Sequence, residues 1–328
     1  MTKVIRFYQT GAADVQRIED IDVAAPARGE VRIRVQAIGL NRSDLIFRSG
    51  HHPMQPPVPS GNGAEAAGVI ESIGADVKGF AVGDAVVVVP HMNPQRGTYD
   101  ALFNIDASRV MPASPHLSAH ENGAFWASYL TAYGGLKQVG NLAQGDFVVI
   151  SAASSSVGLA AIQIANAVGA IPIALTRDET KVERLRAAGA HHVFISDRDD
   201  LAAQIKQCTD GIGARVIFDA VGGPMTAVLA QAMTAYGIFV LYGVLSGDVT
   251  PFPVAAAFEN LLTMTVFRLD YVNRPHELPQ ARDFLNDCLA KGLLKPTIDK
   301  NFAFDDVVAA HRYMENNQQF GKILLAID

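Results

Sequence analysis

The stretch "VVISAASSSVGLAAIQIA", residues 148 to 165, sets a β-branched run before a knot of small residues and an apolar helical pattern. A strand, a tight turn and a helix N-terminus in that order make an anion site, because the first backbone N–H groups of a helix lack acceptors and its dipole is positive there. The dinucleotide pattern G-x-G-x-x-G fits by its last member, Gly158, where the missing Cβ permits close packing of helix on strand; Ala153 and Ser155 then stand at the first two glycine positions. The turn from Ser154 to Val157 is expected to hold a pyrophosphate, with the hydroxyls of Ser154, Ser155 and Ser156 as added donors. The same letters also suit a plain turn whose serines cap the helix.

A second strand ends in "IALTRDETK", with Thr176 and Arg177 where an acid would bind the ribose 2′-hydroxyl of NAD, and Lys181 one helical turn on. Cations attract a 2′-phosphate, which favours NADPH. A Thr176–Glu179 capping box flanked by solvated charges reads the same residues without a ligand. Further on, Gly243 and Val244 in "LYGV" close a fifth strand at its carboxyl end, where open α/β sheets bind ligands. Phe267 to Leu269 close a sixth, to line a nicotinamide or to fill the core.

These residues need a scaffold, and the 328-residue chain suffices for two domains. From about Glu121, apolar runs such as "DFVVI", "AIPIAL", "ARVIFDAVG" and "GIFVLYG" alternate with helical patterns, the mark of a parallel sheet with crossover helices. Before that point, "VIRFYQTG", "EVRIRVQAIGL", "AAGVIESIG" and "DAVVVVP" are strand-and-turn text, as in a small β-barrel. The tail after Asp270 reads helix, strand, helix, strand and is assigned to the first domain. The division is 1–122 and 270–328 for a catalytic domain, 123–269 for a nucleotide-binding one.

A net charge of −6 without any Lys/Arg run argues against nucleic acid or an anionic membrane as partner, and a small-molecule substrate is expected. The longest apolar runs are far short of a membrane span, and "MTKVIRFYQTG" alternates like a strand, so a cytoplasmic protein is expected. Cys208 and Cys288 are far apart and outside any CxxC, which supports neither a disulfide framework nor a structural zinc site.

In order, "GLNRSDLIFRSG", "GNGAEAAGVIESIG", "VGDAVVV", "GTYDALFNI", "ASYLTAYGGL", the serine turn, "DAVGG" and "QQFGKILL" resemble the patterns of the medium-chain dehydrogenase/reductase superfamily over practically the whole chain. The resemblance implies a GroES-like β-barrel catalytic domain, a Rossmann domain, a cleft between them, hydride transfer with a nicotinamide cofactor and a homodimer. The zinc ligands of the alcohol dehydrogenase branch are replaced by Asn41, Ala64 and Ala127, so the chain is similar to the zinc-free quinone oxidoreductase branch, which typically uses NADPH. Departures are Ser155 and Ser156 in place of glycines, Ser196 and Asn317 in place of a Tyr and an Arg on the 2′-phosphate, and Ile46 and His52 in place of pocket tyrosines.

What the resemblance implies for chemistry is hydride delivery to a quinone or enone, with Asn41 and backbone N–H groups meeting the charge that develops on its oxygen. Asp44 either orients Asn41 or caps a helix, and His52, or its neighbour His51, is a candidate proton donor. Tyr129 and Thr131 lie where relatives contact nicotinamide or substrate, Lys322 where a basic residue reaches the pyrophosphate, and Arg96 reads as a solvated charge. The alternatives are an alkenal or enoyl reductase and a non-catalytic NADPH-binding structural or RNA-associated protein.

Overall fold

The computed structural model describes residues 1–93 and 97–327, and Arg96 lies outside them. Two compact units divide the chain: residues 1–127, 270–279 and 296–328 form the first, and 128–269 with 280–295 the second. In chain order the first unit has β1 (Thr2–Phe7), β2 (Gln16–Ile21), β3 (Glu30–Gly39), α1 (Arg42–Ser49), β4 (Ala66–Ile73), β5 (Ala85–Val88), β6 (Leu102–Asp106) and β7 (Val110–Pro112). Helix α2 (Ala119–Tyr133) carries the boundary, and then follow β8 (Phe147–Ile150), α3 (Ser156–Ala167), β9 (Ile171–Thr176), α4 (Val182–Ala187) and β10 (His192–Ile195). The second unit continues with α5 (Leu201–Cys208), β11 (Ala214–Asp219), α6 (Met225–Gln231), β12 (Met233–Leu241), α7 (Val254–Asn260), β13 (Thr263–Val266) and α8 (Leu278–Ala290). The chain then returns to the first unit with β14 (Ile298–Ala303), α9 (Val307–Glu315) and β15 (Lys322–Ala326).

The second unit is a doubly wound parallel sheet of order β10-β9-β8-β11-β12-β13. Val148, Val149 and Ile150 on β8 and Val216, Ile217 and Phe218 on β11 are fully buried, as strands covered on both faces must be. The order reverses between β8 and β11, so the carboxyl ends of these two strands flank the turn into α3. Helix α8 differs from the sequence reading, which put all of 270–328 in the first domain. Its apolar stripe of Ala281, Leu285, Cys288 and Leu289 is buried, and Phe284 packs against Tyr133 of the same unit at 5.1 Å between ring centroids.

In the first unit, a GroES-like β-fold, the sheet runs β14-β15-β3-β4-β5-β7, with β6 also on β3 and the β1–β2 hairpin apart from it. Val31, Ile33 and Val35 of β3 alternate toward a core shared with Leu325 of β15 and Val307 and Ala310 of α9, and Ile38 joins it past an irregularity in the strand. Because β15 pairs antiparallel with β3, Leu324 opposite Gly39, the "GKILL" segment lies beside the start of α1.

Candidate active site

The turn after β8 is held from below by a buried carboxylate. Asp219 accepts hydrogen bonds from Ser151 Oγ at 2.5 Å and from the backbone N–H groups of Val221 and Gly222, while Ser151 Oγ accepts from Ala220 N at 2.8 Å. Ser155 is the N-cap of α3, its Oγ accepting from Gly158 N at 3.0 Å. A Cβ on Gly158 would lie 2.6 Å from both Cα and O of Ala153, so only glycine lets the helix start this close to the strand. The Ser155 oxygen serves the helix as an acceptor, which leaves its hydroxyl proton to donate, and the N–H groups of Ser156 and Val157 are left as the first-turn donors. Ser154, Ser156 and Val157 are partly exposed.

Tyr242, which the sequence reading missed, is beside this turn. Its ring stacks on Phe218 at 4.0 Å, and its hydroxyl is buried without a hydrogen bond of ordinary geometry, close to Ser155. Burial, and then the Asp219 charge, push the phenol well above its usual range, so it stays a protonated donor. Free N–H groups, partly exposed serines and an orphaned hydroxyl suit the phosphates of a dinucleotide. The available signal was position, one residue before Gly243 in "LYGV".

At the end of β9, Thr176 is buried, its Oγ1 accepting from Asp178 N at 3.1 Å, and Arg177 is exposed. Asp178 caps the next turn by accepting from Thr180 Oγ1 and Thr180 N, which hold its carboxyl below the usual range. The capping box expected from Thr176 and Glu179 is therefore replaced by two turns in succession, Thr176 to Asp178 and Asp178 to Thr180, and Glu179 pairs with Arg198 at 3.2 Å. Lys181, expected as a second cation for a 2′-phosphate, is buried at 8% exposure.

Gly243 makes room for protein, since a Cβ there would meet Ala220 O at 2.8 Å, whereas Val244 is exposed. Phe267 is 4% exposed with its ring against Gly134, which makes it core; Leu269 and Thr131 are partly exposed. Tyr129 is core too: it is 2% exposed, its hydroxyl donates to Gln163 Oε1 at 2.7 Å, and burial holds the phenol far above its usual range. That is no acid for catalysis at neutral pH.

The first unit brings Asn41, Asp44 and Lys322 together. Asn41 caps α1, and Asp44 closes a capping box by accepting from Asn41 N at 2.9 Å, so both readings of Asp44 describe one contact. Lys322 was expected at a pyrophosphate, yet it is 1% exposed: its Nζ donates to Asn41 Oδ1 at 2.8 Å and lies 2.6 Å from Glu65 Oε2 in an ion pair. Glu65 Oε1 accepts from Ala127 N at 2.7 Å. The remaining amide group of Asn41, Nδ2, donates to Gly39 O at 3.1 Å. A lone acid inside "GNGAEAAG" and a lone lysine before "ILLAI" were the signals for a buried pair.

Behind Asp44 a buried chain leads outward. Arg48 only donates, so its contact to His311 Nδ1 at 2.9 Å makes that nitrogen the acceptor and puts the ring proton on Nε2, which faces Tyr99 Oη at 3.0 Å; the Tyr99 hydroxyl then donates to Asp44 Oδ2 at 3.1 Å. Arg48 also donates to Gly11 O and to Glu315 Oε1. Burial drives His311 down to about 3 and Asp44 up to about 7, the latter against the pull of its hydrogen bond from Asn41 N and the Lys322 charge. His52 is partly buried with Nδ1 accepting from Met54 N at 3.1 Å, and burial lowers its pKa.

Zinc chemistry does not fit the donors at the corresponding positions: Ala64 and Ala127 offer no ligand, and the Asn41 oxygen is taken by Lys322. Among the described residues, no group of three or more His, Cys, Asp or Glu is placed to hold a metal ion, and no helix is long and apolar enough to cross a membrane.

Comparisons with known proteins agree with this layout. Residues 27–133 match the alcohol dehydrogenase GroES-like domain, and residues 156–287 match the family described as zinc-binding dehydrogenase. The chain is 29% identical over 331 residues to quinone oxidoreductase 1 of Escherichia coli, covering 99% of each, and 28% identical to the 2-haloacrylate reductase of a Burkholderia species, covering 97% of each. The crystal structure of Escherichia coli quinone oxidoreductase complexed with NADPH superposes with a TM-score of 0.91 at 29% identity, over 99% of this chain and 100% of that one.

Proposed function

The chain belongs to the medium-chain dehydrogenase/reductase superfamily, in its quinone oxidoreductase branch, and from that premise we propose that it is an NADPH-dependent reductase of quinones or similar electron-poor carbonyl compounds that works without zinc. The observation that carries the reading is Asn41, capped, pinned and half-buried, with an amide N–H group as the polar donor where the zinc branch has a metal ligand.

NADPH, when bound, supplies the hydride from its nicotinamide C4. The N–H groups of Ser156 and Val157, the hydroxyls of Ser154, Ser156 and Tyr242, and the guanidinium of Arg177 bind and orient its phosphates. Asn41 Nδ2 donates to the acceptor oxygen as negative charge builds on it, which suits a quinone, because its reduced oxygen is a comparatively stable anion that needs no strong acid. Proton return from solvent completes the hydroquinone.

A homodimer in the cytoplasm is part of this proposal. Strand β13 is an edge of its sheet, and Val266, Phe258 and Leu261 around it are exposed. The 2-haloacrylate reductase relative favours a second reading, reduction of an activated alkene, and Ile46 and His52 at the pocket positions leave room for it.

Steady-state rates with 1,4-benzoquinone and with a 2-alkenal decide between the two. The quinone is expected to win, and a large alkenal preference overturns the assignment. Dissociation constants for NADPH and NADH, in wild type and Arg177→Ala, test the cofactor: the substitution is expected to weaken NADPH about tenfold and leave NADH unchanged.

A further inference from the structure

We propose that Lys322 is a positioning residue for Asn41, one that fixes which end of the amide meets the substrate and so presents an N–H donor, not a lone pair, to the acceptor oxygen. The proposal rests on the reading of Asn41 as the donor to the acceptor oxygen.

An asparagine amide has two ends of opposite character and nearly equal shape, and nothing intrinsic decides which faces a ligand. An ammonium decides it, because it carries donors and no acceptor. With Lys322 Nζ 2.8 Å from Asn41, the atom facing it must be Oδ1, and Nδ2 is forced to the other side. There one of its hydrogens goes to Gly39 O at 3.1 Å, and the second is the one available to a ligand. Lys322 is itself held: at 1% exposure its charge needs a partner, and Glu65, also 1% exposed, lies 2.6 Å away and is anchored through Oε1 to Ala127 N. Gly39 completes the arrangement. A Cβ there would lie 2.5 Å from Glu65 Oε2 and 2.7 Å from Lys322 Cε, so any larger residue would push the pair apart.

The consequence is a fixed donor. A carbonyl oxygen, or the anion it becomes, accepts the N–H that Lys322 turns away from itself, and the contact strengthens as negative charge builds on that oxygen. With the amide reversed, Oδ1 would meet the acceptor oxygen lone pair to lone pair.

The test uses the full chain with NADPH and 1,4-benzoquinone, in wild type, Lys322→Met, the paired variant Lys322→Met/Glu65→Gln, Asn41→Ala and Asn41→Ala/Lys322→Met. The paired variant removes both buried charges and keeps an acceptor for Ala127 N, which guards against misfolding around an unpaired carboxylate. Freed from Lys322, the amide can rotate. We expect kcat/KM to fall about 10- to 100-fold in both Lys322 variants and the Kd for NADPH to stay within about twofold. Because Lys322 acts through Asn41, Asn41→Ala/Lys322→Met should be no slower than Asn41→Ala. Effects that multiply in the double variant, or an NADPH Kd that rises tenfold with kcat preserved, overturn the proposal and return Lys322 to structure or to the pyrophosphate. If Asn41→Ala alone leaves kcat/KM unchanged, it is the acceptor-site reading that fails.

Discussion

The two units bury charge in opposite ways. In the second, the sheet interior is Val, Ile, Phe and Leu, and its polar groups, Ser151, Asp219 and Thr176, stand at the carboxyl ends of strands, bonded mostly to nearby backbone. In the first, Asp44, Arg48, Glu65, Tyr99, His311 and Lys322 are all buried and bond to one another's side chains across the fold. A site made of backbone N–H groups needs only the right turn, and tolerates serine where glycine is usual. A site made of one oriented amide needs a network behind it, because every buried polar atom must be satisfied and each partner must in turn be placed.

Gly158→Val should give the largest effect, since two branched methyl groups would be driven into the backbone of Ala153. We expect a stability loss of about 3 kcal/mol or more and an NADPH Kd at least tenfold higher, by urea unfolding and fluorescence titration. Next is Arg48→Met, which strips the donors from His311 Nδ1, Gly11 O and Glu315 at once; about 2–4 kcal/mol should be lost with NADPH affinity unchanged. Loss of NADPH binding in Arg48→Met, with the fold intact, would break the contrast between the units.

The pH dependence sharpens it. Asp44, raised from 3.8 to about 7, keeps its proton in the folded state, so its contribution favours folding below pH 4 and is lost as pH rises toward 7. His311, lowered from 6.5 to about 3, stays neutral when folded, so its contribution is present above pH 6.5 and is lost as pH falls toward 3. Between about pH 4 and 6.5 the two slopes oppose, and each state of the pair, folded or unfolded, carries one proton. Asp44→Asn removes one slope. Its stability should exceed that of wild type at pH 8 by about 1–2 kcal/mol and should rise with pH between 4 and 6.5, where wild type is flat; denaturation at pH 4.5, 6 and 8 checks this.

Tyr242→Phe is the smallest change. Losing the orphaned hydroxyl should leave stability unchanged or slightly raised, and weaken NADPH about three- to tenfold, measured by titration. Unaltered affinity would remove Tyr242 from the cofactor site.

The second unit was the more legible because its signals are local. Short β-branched runs, a small-residue turn and a helical period are each read within a dozen residues, and they suffice for a parallel sheet with crossover helices and for the strand–turn–helix at Ser155. Legibility failed where a side chain's partner lies elsewhere. Lys181 reads as a solvated cation until its burial is seen, and Tyr242 as part of a strand end. Asn41 and Lys322 are 281 positions apart, so their pairing leaves no trace in spacing. Asp44 was legible as a helix cap, but the chain through Tyr99, His311 and Arg48 that makes its cap a buried one was not.

The place of β15 in its sheet, between β14 and β3, has a consequence for biosynthesis. On a ribosome, the second unit's strands emerge one after another and can pair as they appear, whereas β3 must wait for a neighbour made almost three hundred residues later. Until then its edge near Ile38 is an open template for other strands, and the Glu65 carboxylate has no counter-ion. The contact between Lys322 and Asn41 therefore cannot form until the chain has been made to its last strand.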